Sequence, residues 1–84
     1  MTQRDEVAGG YLAGAPARGY LKPSERELEV LLLSVSGLTA KEVGARLGLS
    51  ARTVENYKRT LYWKFGVQNL AQLIVAAMRN GIIR

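Results

Sequence analysis

"TAKEVGARLGLSARTVENYKRTLYWKF", residues 39–65, contains two helical periods separated by a break of three residues, Gly48, Leu49 and Ser50. The first period is short. It opens on Thr39 with Glu42 three residues later, the form of a capping box in which each side chain satisfies the other residue's backbone N–H. It sets Val43 and Leu47 on one side and stops at Gly48, a residue type that ends helices in the left-handed conformation. The second period follows Ser50, an N-cap without a box partner. At 100° per residue it puts Val54, Tyr57, Leu61 and Phe65 on one arc and Arg52, Glu55, Asn56, Arg59 and Trp63 on the other. A short helix, a three-residue turn with a glycine and a tucked apolar residue, then a longer helix is the signature of a helix-turn-helix. Gly44, inside the first helix, costs about 1 kcal/mol relative to alanine, so close packing against a neighbouring helix is expected as its compensation.

Similar punctuation extends outward from this stretch. Ser24 with Glu27, and Asn69 with Gln72, repeat the capping-box form, and Gly37, Gly66 and Gly81 stand where helices would stop. The expected helices cover about 25–36, 40–47, 51–65 and 70–80, and no segment alternates with period two for long enough to be a strand. The expected fold class is all-α. Helix one offers Leu28, Leu31, Leu32 and Val35 as its core stripe, and helix four offers Leu70, Leu73, Ile74 and Ala77. Helix four carries a second apolar stripe, Ala71, Val75 and Met78. A small domain rarely exposes such a stripe, so these three residues predict a two-fold homodimer interface, the alternative being a fuller core closed by the N-terminal segment. Residues 1–20 are rich in Gly and Ala, contain Pro16 and show no apolar period; they read as a flexible arm or linker preceding a domain at 21–84. The arm is either without function or docks on a partner or DNA through Tyr11, Arg18 and Tyr20.

Composition narrows the function classes. Eighty-four residues support one modest core. With no cysteine and no histidine, disulfides, Cys/His zinc sites and His-based catalysis are excluded. No cluster of paired acids, bases or nucleophiles is evident, so the expectation is a non-enzyme with no metal and no cofactor. "MTQRDEVAGG" lacks the apolar segment of a secretory signal, and "LEVLLLSV" and "LIVAAM" are too short to span a bilayer, which points to a cytoplasmic location and no membrane partner. The net charge is +5, but its placement says more: residues 1–45 hold five basic and six acidic side chains, whereas residues 46–84 hold seven basic ones and a single acid, Glu55. A basic half of this kind favours a polyanionic partner.

The outward arc of the helix at 51–65 suits double-stranded DNA. In the major groove, Asn matches adenine, Arg matches guanine and Glu matches the cytosine amino group, which makes Glu55, Asn56 and Arg59 the candidate base contacts. Lys41, Ser50, Arg52, Thr53, Lys58 and Lys64 are the candidate phosphate contacts, with Lys58 and Lys64 placed so that they either reach phosphate or only snorkel from the core arc. Taken alone, such an arc is more often a plain solvated surface; the preceding short helix, the glycine turn and the local basic excess favour DNA. Tyr57 reads as a core or core-edge residue. Tyr62 and Trp63 either touch the DNA backbone or pack on neighbouring protein. Glu55 lies four residues before Arg59, the favourable orientation for an ion pair, and three after Arg52, and its use is either to accept a hydrogen bond from a cytosine amino group or to hold Arg59 aimed at a guanine.

These residues also resemble a known family. "REL-EVL" at 26–31, "GLTAKEV" at 37–43, "LGLSARTVENY" at 47–57 and "KFGV" at 64–67 match, in order and interval, the LuxR-type helix-turn-helix domain, and the resemblance covers about residues 24–84. The resemblance implies a four-helix domain whose third helix enters the major groove and whose fourth commonly mediates dimerisation. It implies base-reading positions at Glu55, Asn56 and Arg59 and phosphate contacts at residues such as Lys41, Ser50, Thr53 and Lys64. The chain departs from the usual family residues at Pro23, Glu55, Tyr57 and Leu70. The function expected is that of a bacterial, nucleoid-associated transcription regulator binding promoter DNA as a homodimer. The alternative is an interaction module that contacts RNA polymerase or a larger regulator and binds DNA weakly or not at all.

Overall fold

The structure, a computed structural model, describes residues 20–83. Its regular elements are four helices: α1 (Glu25–Val35), α2 (Ala40–Leu47), α3 (Ala51–Phe65) and α4 (Leu70–Arg79). The described residues contain no strand, and the fold is all-α. Tyr11 and Arg18 of the expected arm lie outside the described residues.

Local chemistry sets the helix ends. At Ser24/Glu27 and at Thr39/Glu42 both halves of the capping box form. The third is half made: the Asn69 side chain accepts the Gln72 N–H at 2.9 Å, but Gln72 Oε1 reaches past the cap to the Gln68 N–H at 2.8 Å. An amide side chain is long enough to satisfy either donor, and the pattern of residue types cannot distinguish them. The stops are more uniform. Gly37, Gly66 and Gly81 have φ of 102°, 66° and 73°. At each, the glycine N–H bonds three residues back and the next N–H five back, as in Val67 N to Tyr62 O at 2.8 Å. This is the Schellman arrangement, which satisfies carbonyls that a helix end would otherwise leave open.

The described residues fall into two compact units, Pro23–Leu61 and, apart from it, residues 20–22 together with 62–83. In the first, Val30, Leu31, Val43, Val54 and Leu61 are fully buried. α1 packs against α2. The buried side of α1 is Glu27, Val30, Leu31 and Ser34, so the expected stripe is correct at Leu31 only; Leu32 is 41% exposed and Leu28 and Val35 are half-buried. "LEVLLLSV" is apolar around most of its circumference, which leaves the phase of the stripe to tertiary packing. Glu27 can lie on the inner side because its carboxylate is turned back onto the Ser24 N–H at 2.9 Å. The Ser34 hydroxyl is buried without a hydrogen-bond partner among the described residues.

In the second unit Phe65, Leu73 and Ala77 are buried, and Leu70 and Ile74 are half-buried, in keeping with the expected inward stripe of α4. The Tyr20 ring stacks flat on Phe65, with centroids 4.8 Å apart and planes 9° apart. The Leu21 N–H donates to the Lys64 carbonyl at 2.8 Å.

Gly44 is buried, but its close neighbour is the turn rather than a helix. A Cβ at this position would collide with the Leu49 carbonyl oxygen and lie 3.3 Å from the Leu49 carbonyl carbon and 3.4 Å from that of Ser50. The same approach lets the Leu49 N–H donate to the Gly44 carbonyl at 2.9 Å. Gly44→Ala would gain about 1 kcal/mol of helix propensity. It would lose more by pushing apart backbone that cannot rotate away, since overpacking costs about 1–3 kcal/mol. The expected outcome is a lowered urea midpoint with an unchanged slope, and an unchanged or raised midpoint would show that the turn gives way.

Candidate nucleic-acid interface

The interface begins at Ser50. Its Oγ accepts the Thr53 N–H at 3.0 Å and donates to Thr53 Oγ1 at 2.9 Å, while its carbonyl accepts the Val54 N–H at 3.0 Å. This fixes the start of α3 where the three-residue turn delivers it. The first turns of α1 and α2 carry acids, whereas that of α3 carries none. The positive end of the α3 dipole is therefore not offset by a carboxylate in that turn, a condition that favours an approaching phosphate.

Arg52, Glu55, Asn56 and Arg59 are all exposed. They project from one side of α3, while Val54 and Leu61 are buried on the other. Two local bonds order this face. Arg59 Nη1 donates to Asn56 Oδ1 at 3.3 Å, and Lys58 Nζ lies 3.8 Å from Glu55 Oε1. Of the spacings open to Glu55, the one taken is three, to Lys58, rather than four, to Arg59, which bonds Asn56 instead. The Lys58 side chain is only 14% exposed, so its stem lies along the protein and presents the ammonium to Glu55; Arg59 then takes the neutral amide. With Glu55 57% exposed, its pair contributes a few tenths of a kcal/mol at most, so these bonds orient side chains rather than hold the fold.

The other expected contacts are dispersed. Lys41 and Ser50 are exposed and Thr53 is half-buried. Lys64 belongs to the second unit, where its Nζ is 3.4 Å from the Lys22 carbonyl. Tyr57, Tyr62 and Trp63 are half-buried. Thr60 was not anticipated: with Thr53, Asn56, Tyr57 and Glu27 it lines an open notch of about 200 Å³. Its spacing of four from Asn56 and three from Tyr57 was the available signal. On α4, Ala71, Val75 and Met78 are exposed, Val75 by 48% and Met78 by 53%. Among the described residues no group of three or more His, Cys, Asp or Glu could hold a metal, and no helix is long and apolar enough to cross a membrane.

A short capped helix, a glycine turn closed against it and a longer helix bearing an exposed Arg/Glu/Asn/Arg face define a helix-turn-helix domain. Residues 24–77 match the family described as bacterial regulatory proteins, luxR family, and the chain belongs to it. It is 41% identical over 58 residues to the probable transcriptional regulator ycf29 of Cyanophora paradoxa, a match covering 69% of this chain and 28% of that protein. It is 32% identical over 59 residues to the response regulator UvrY of Escherichia coli K12, covering 70% of this chain and 27% of the relative. The chain thus spans little more than a quarter of the length of either relative. Among solved structures it is similar to the Vibrio cholera VqmA–ligand–DNA complex, with a TM-score of 0.69 and 39% identity over 74% of this chain and 27% of that one.

Ser50 joins the turn to α3, and its replacement measures that link. Ser50→Ala should cost about 1 kcal/mol in denaturant unfolding and Ser50→Gly only a few tenths, the usual ranking at an N-cap. Equal losses for the two variants would show that the turn, rather than the hydroxyl, fixes the start of α3.

Proposed function

We propose that this chain is a DNA-binding transcription regulator that reads promoter DNA as a homodimer, with α3 in the major groove. The observation that carries the reading is the exposed Arg52, Glu55, Asn56 and Arg59 face on the helix that follows the Gly44–Leu49 turn. Residues 21–84 act as the binding domain and residues 1–20 as an arm. Asn56, held by Arg59, addresses adenine; Arg59 addresses guanine; Glu55 accepts from a cytosine amino group. Lys41, Ser50, Arg52, Thr53 and Lys64 contact phosphate and set the register without reading sequence. Lys58, whose stem is packed and whose ammonium faces Glu55, is the weakest of the phosphate candidates. The dimer forms through Ala71, Val75 and Met78 and places two recognition helices about one DNA turn apart. The working location is the cytoplasm, on the nucleoid. The second reading is an interaction module for RNA polymerase or a larger regulator. It is favoured by the presence of an acid, Glu55, within the face that must approach phosphate.

Salt dependence separates the two readings. Lys41, Arg52 and Lys64 from each of two chains give about six ionic phosphate contacts, so the logarithm of the binding constant should fall against the logarithm of salt with a slope of roughly −5. Lys41→Ala should reduce that slope by about 2 per dimer and weaken all fragments alike. Gel shifts over a salt series check both numbers, and no salt-dependent binding at low ionic strength would leave the interaction module as the reading.

Selection of sites from random DNA tests the base-reading set. Wild type should return paired half-sites, and Glu55→Ala should keep or raise non-specific affinity while losing about 1–3 kcal/mol of discrimination at one or two positions per half-site. Coincident preferences at every position would make Glu55 an ordinary surface acid.

A further inference from the structure

Lys58 sits beside the base-reading face without belonging to it. Its side chain is 14% exposed, against 57% for Glu55, and its Nζ lies 3.8 Å from Glu55 Oε1. We infer that Lys58 is a positioning residue for base reading: it aims and neutralises Glu55, and it keeps Glu55 from drawing Arg59 off Asn56. This role rests on the major-groove reading given above, and within that reading it is distinct from phosphate contact.

Burial comes first. The stem of Lys58 lies along the protein, so its ammonium is confined to the neighbourhood of Glu55, and a contact with phosphate would require the stem to lift away. Acceptor capacity comes second. A carboxylate offers two oxygens and about four acceptor positions. With Oε1 facing Lys58, Glu55 keeps room for a cytosine amino group, so the ion pair and the base contact are compatible. The third point is competition along the helix. Glu55 has Lys58 three residues ahead and Arg59 four ahead, the latter at the favourable spacing for an ion pair. The pair formed is the one with Lys58, and Arg59 Nη1 donates to Asn56 Oδ1 at 3.3 Å instead. Without the Lys58 ammonium, Arg59 is the best-placed partner left for Glu55. Its guanidinium would then turn from Asn56, and several base-reading side chains would lose their aim together.

Charge explains why the pair is useful at this interface. An acid facing phosphate repels the polyanion; the Lys58 ammonium cancels that charge locally and leaves the positive charges of Arg52 and Arg59 in excess on the face. In water an exposed pair of this kind is weak, because solvent screens it. DNA in the groove displaces that solvent, and close charge pairs inside an interface are coupled far more strongly than exposed ones. The pair therefore adds little to folding and more to reading.

Lys58→Met keeps the packed stem and removes the charge, whereas Lys58→Arg keeps both. Site selection from random DNA and gel shifts over a salt series, both on the full chain, test the role. Lys58→Met should lose about threefold or more of the preference at the positions read by Glu55 and Arg59, with an unchanged salt slope, and Lys58→Arg should retain it. In a Glu55→Ala background, Lys58→Met should change the preference at no position, because the group it acts through is gone. A slope reduced by about 2 per dimer with preferences intact would make Lys58 a phosphate contact. An equal loss of preference with and without Glu55 would show that Lys58 acts through another group. Either result, or full preference in Lys58→Met, overturns the assignment. A wild-type chain that selects no site removes the major-groove reading itself and the role of Lys58 with it, an outcome that the variants of a selecting chain cannot mimic.

Discussion

The approach of the Gly44 backbone to the Leu49 carbonyl is the constraint on which the recognition element rests. α2 and α3 are separated by Gly48, Leu49 and Ser50 alone, and so short a link sets one helix against the other only if it can fold back onto the first. The fold-back is closed by the Leu49 N–H on the Gly44 carbonyl, made at φ 72° for Gly48, and it leaves no room for a Cβ at residue 44. Glycine in a helix interior costs about 1 kcal/mol, a smaller penalty than the collision it avoids. Everything on α3 inherits its position from this closure, beginning with the Ser50 hydroxyl on the Thr53 N–H.

Much of this architecture is legible in the residues themselves, because caps and stops are short-range. Ser24, Thr39, Ser50 and Asn69 start helices where their side chains can reach a backbone N–H three residues on, and the four glycines end them, so the expected boundaries fall within a residue of those found. What the residues could not supply was phase. In α1 apolar side chains nearly encircle the helix, and nothing local says that Val30 faces inward while Leu32 is left outside. Gly44 marked a close approach without identifying its neighbour. The helix-turn-helix and the outward face of α3 were legible for the same local reasons, but the pairing within that face was not. Glu55 has one cation three residues ahead and another four ahead, and the packed stem of Lys58 decides between them.

The charge pattern on the helices has its own logic. α1 and α2 carry Glu25, Glu27 and Glu42 in their first turns, where carboxylates complete caps and offset the positive dipole end. α3 leaves that end without an acid and caps it with an uncharged hydroxyl. The single acidic side chain of the basic half comes only in the second turn, with the Lys58 ammonium 3.8 Å away. Acids are thus present in the first turns of α1 and α2 and absent from those of α3 and α4, and of the latter two it is α3 that bears the exposed Arg52, Glu55, Asn56 and Arg59 face.

Among the described residues, the exposed side chains at 52, 55, 56 and 59 of α3 make two local bonds, Arg59 to Asn56 and Lys58 to Glu55. Exposed positions without core contacts usually change stability by no more than about 0.5 kcal/mol when substituted. The face therefore behaves as an interchangeable cartridge on a fixed chassis: four positions can be rewritten, by selection or by design, without renegotiating the turn that aims them. Lineages sharing this scaffold can diverge in what they recognise while Gly44, Leu49 and the capped start at Ser50 stay under a separate and stricter packing requirement.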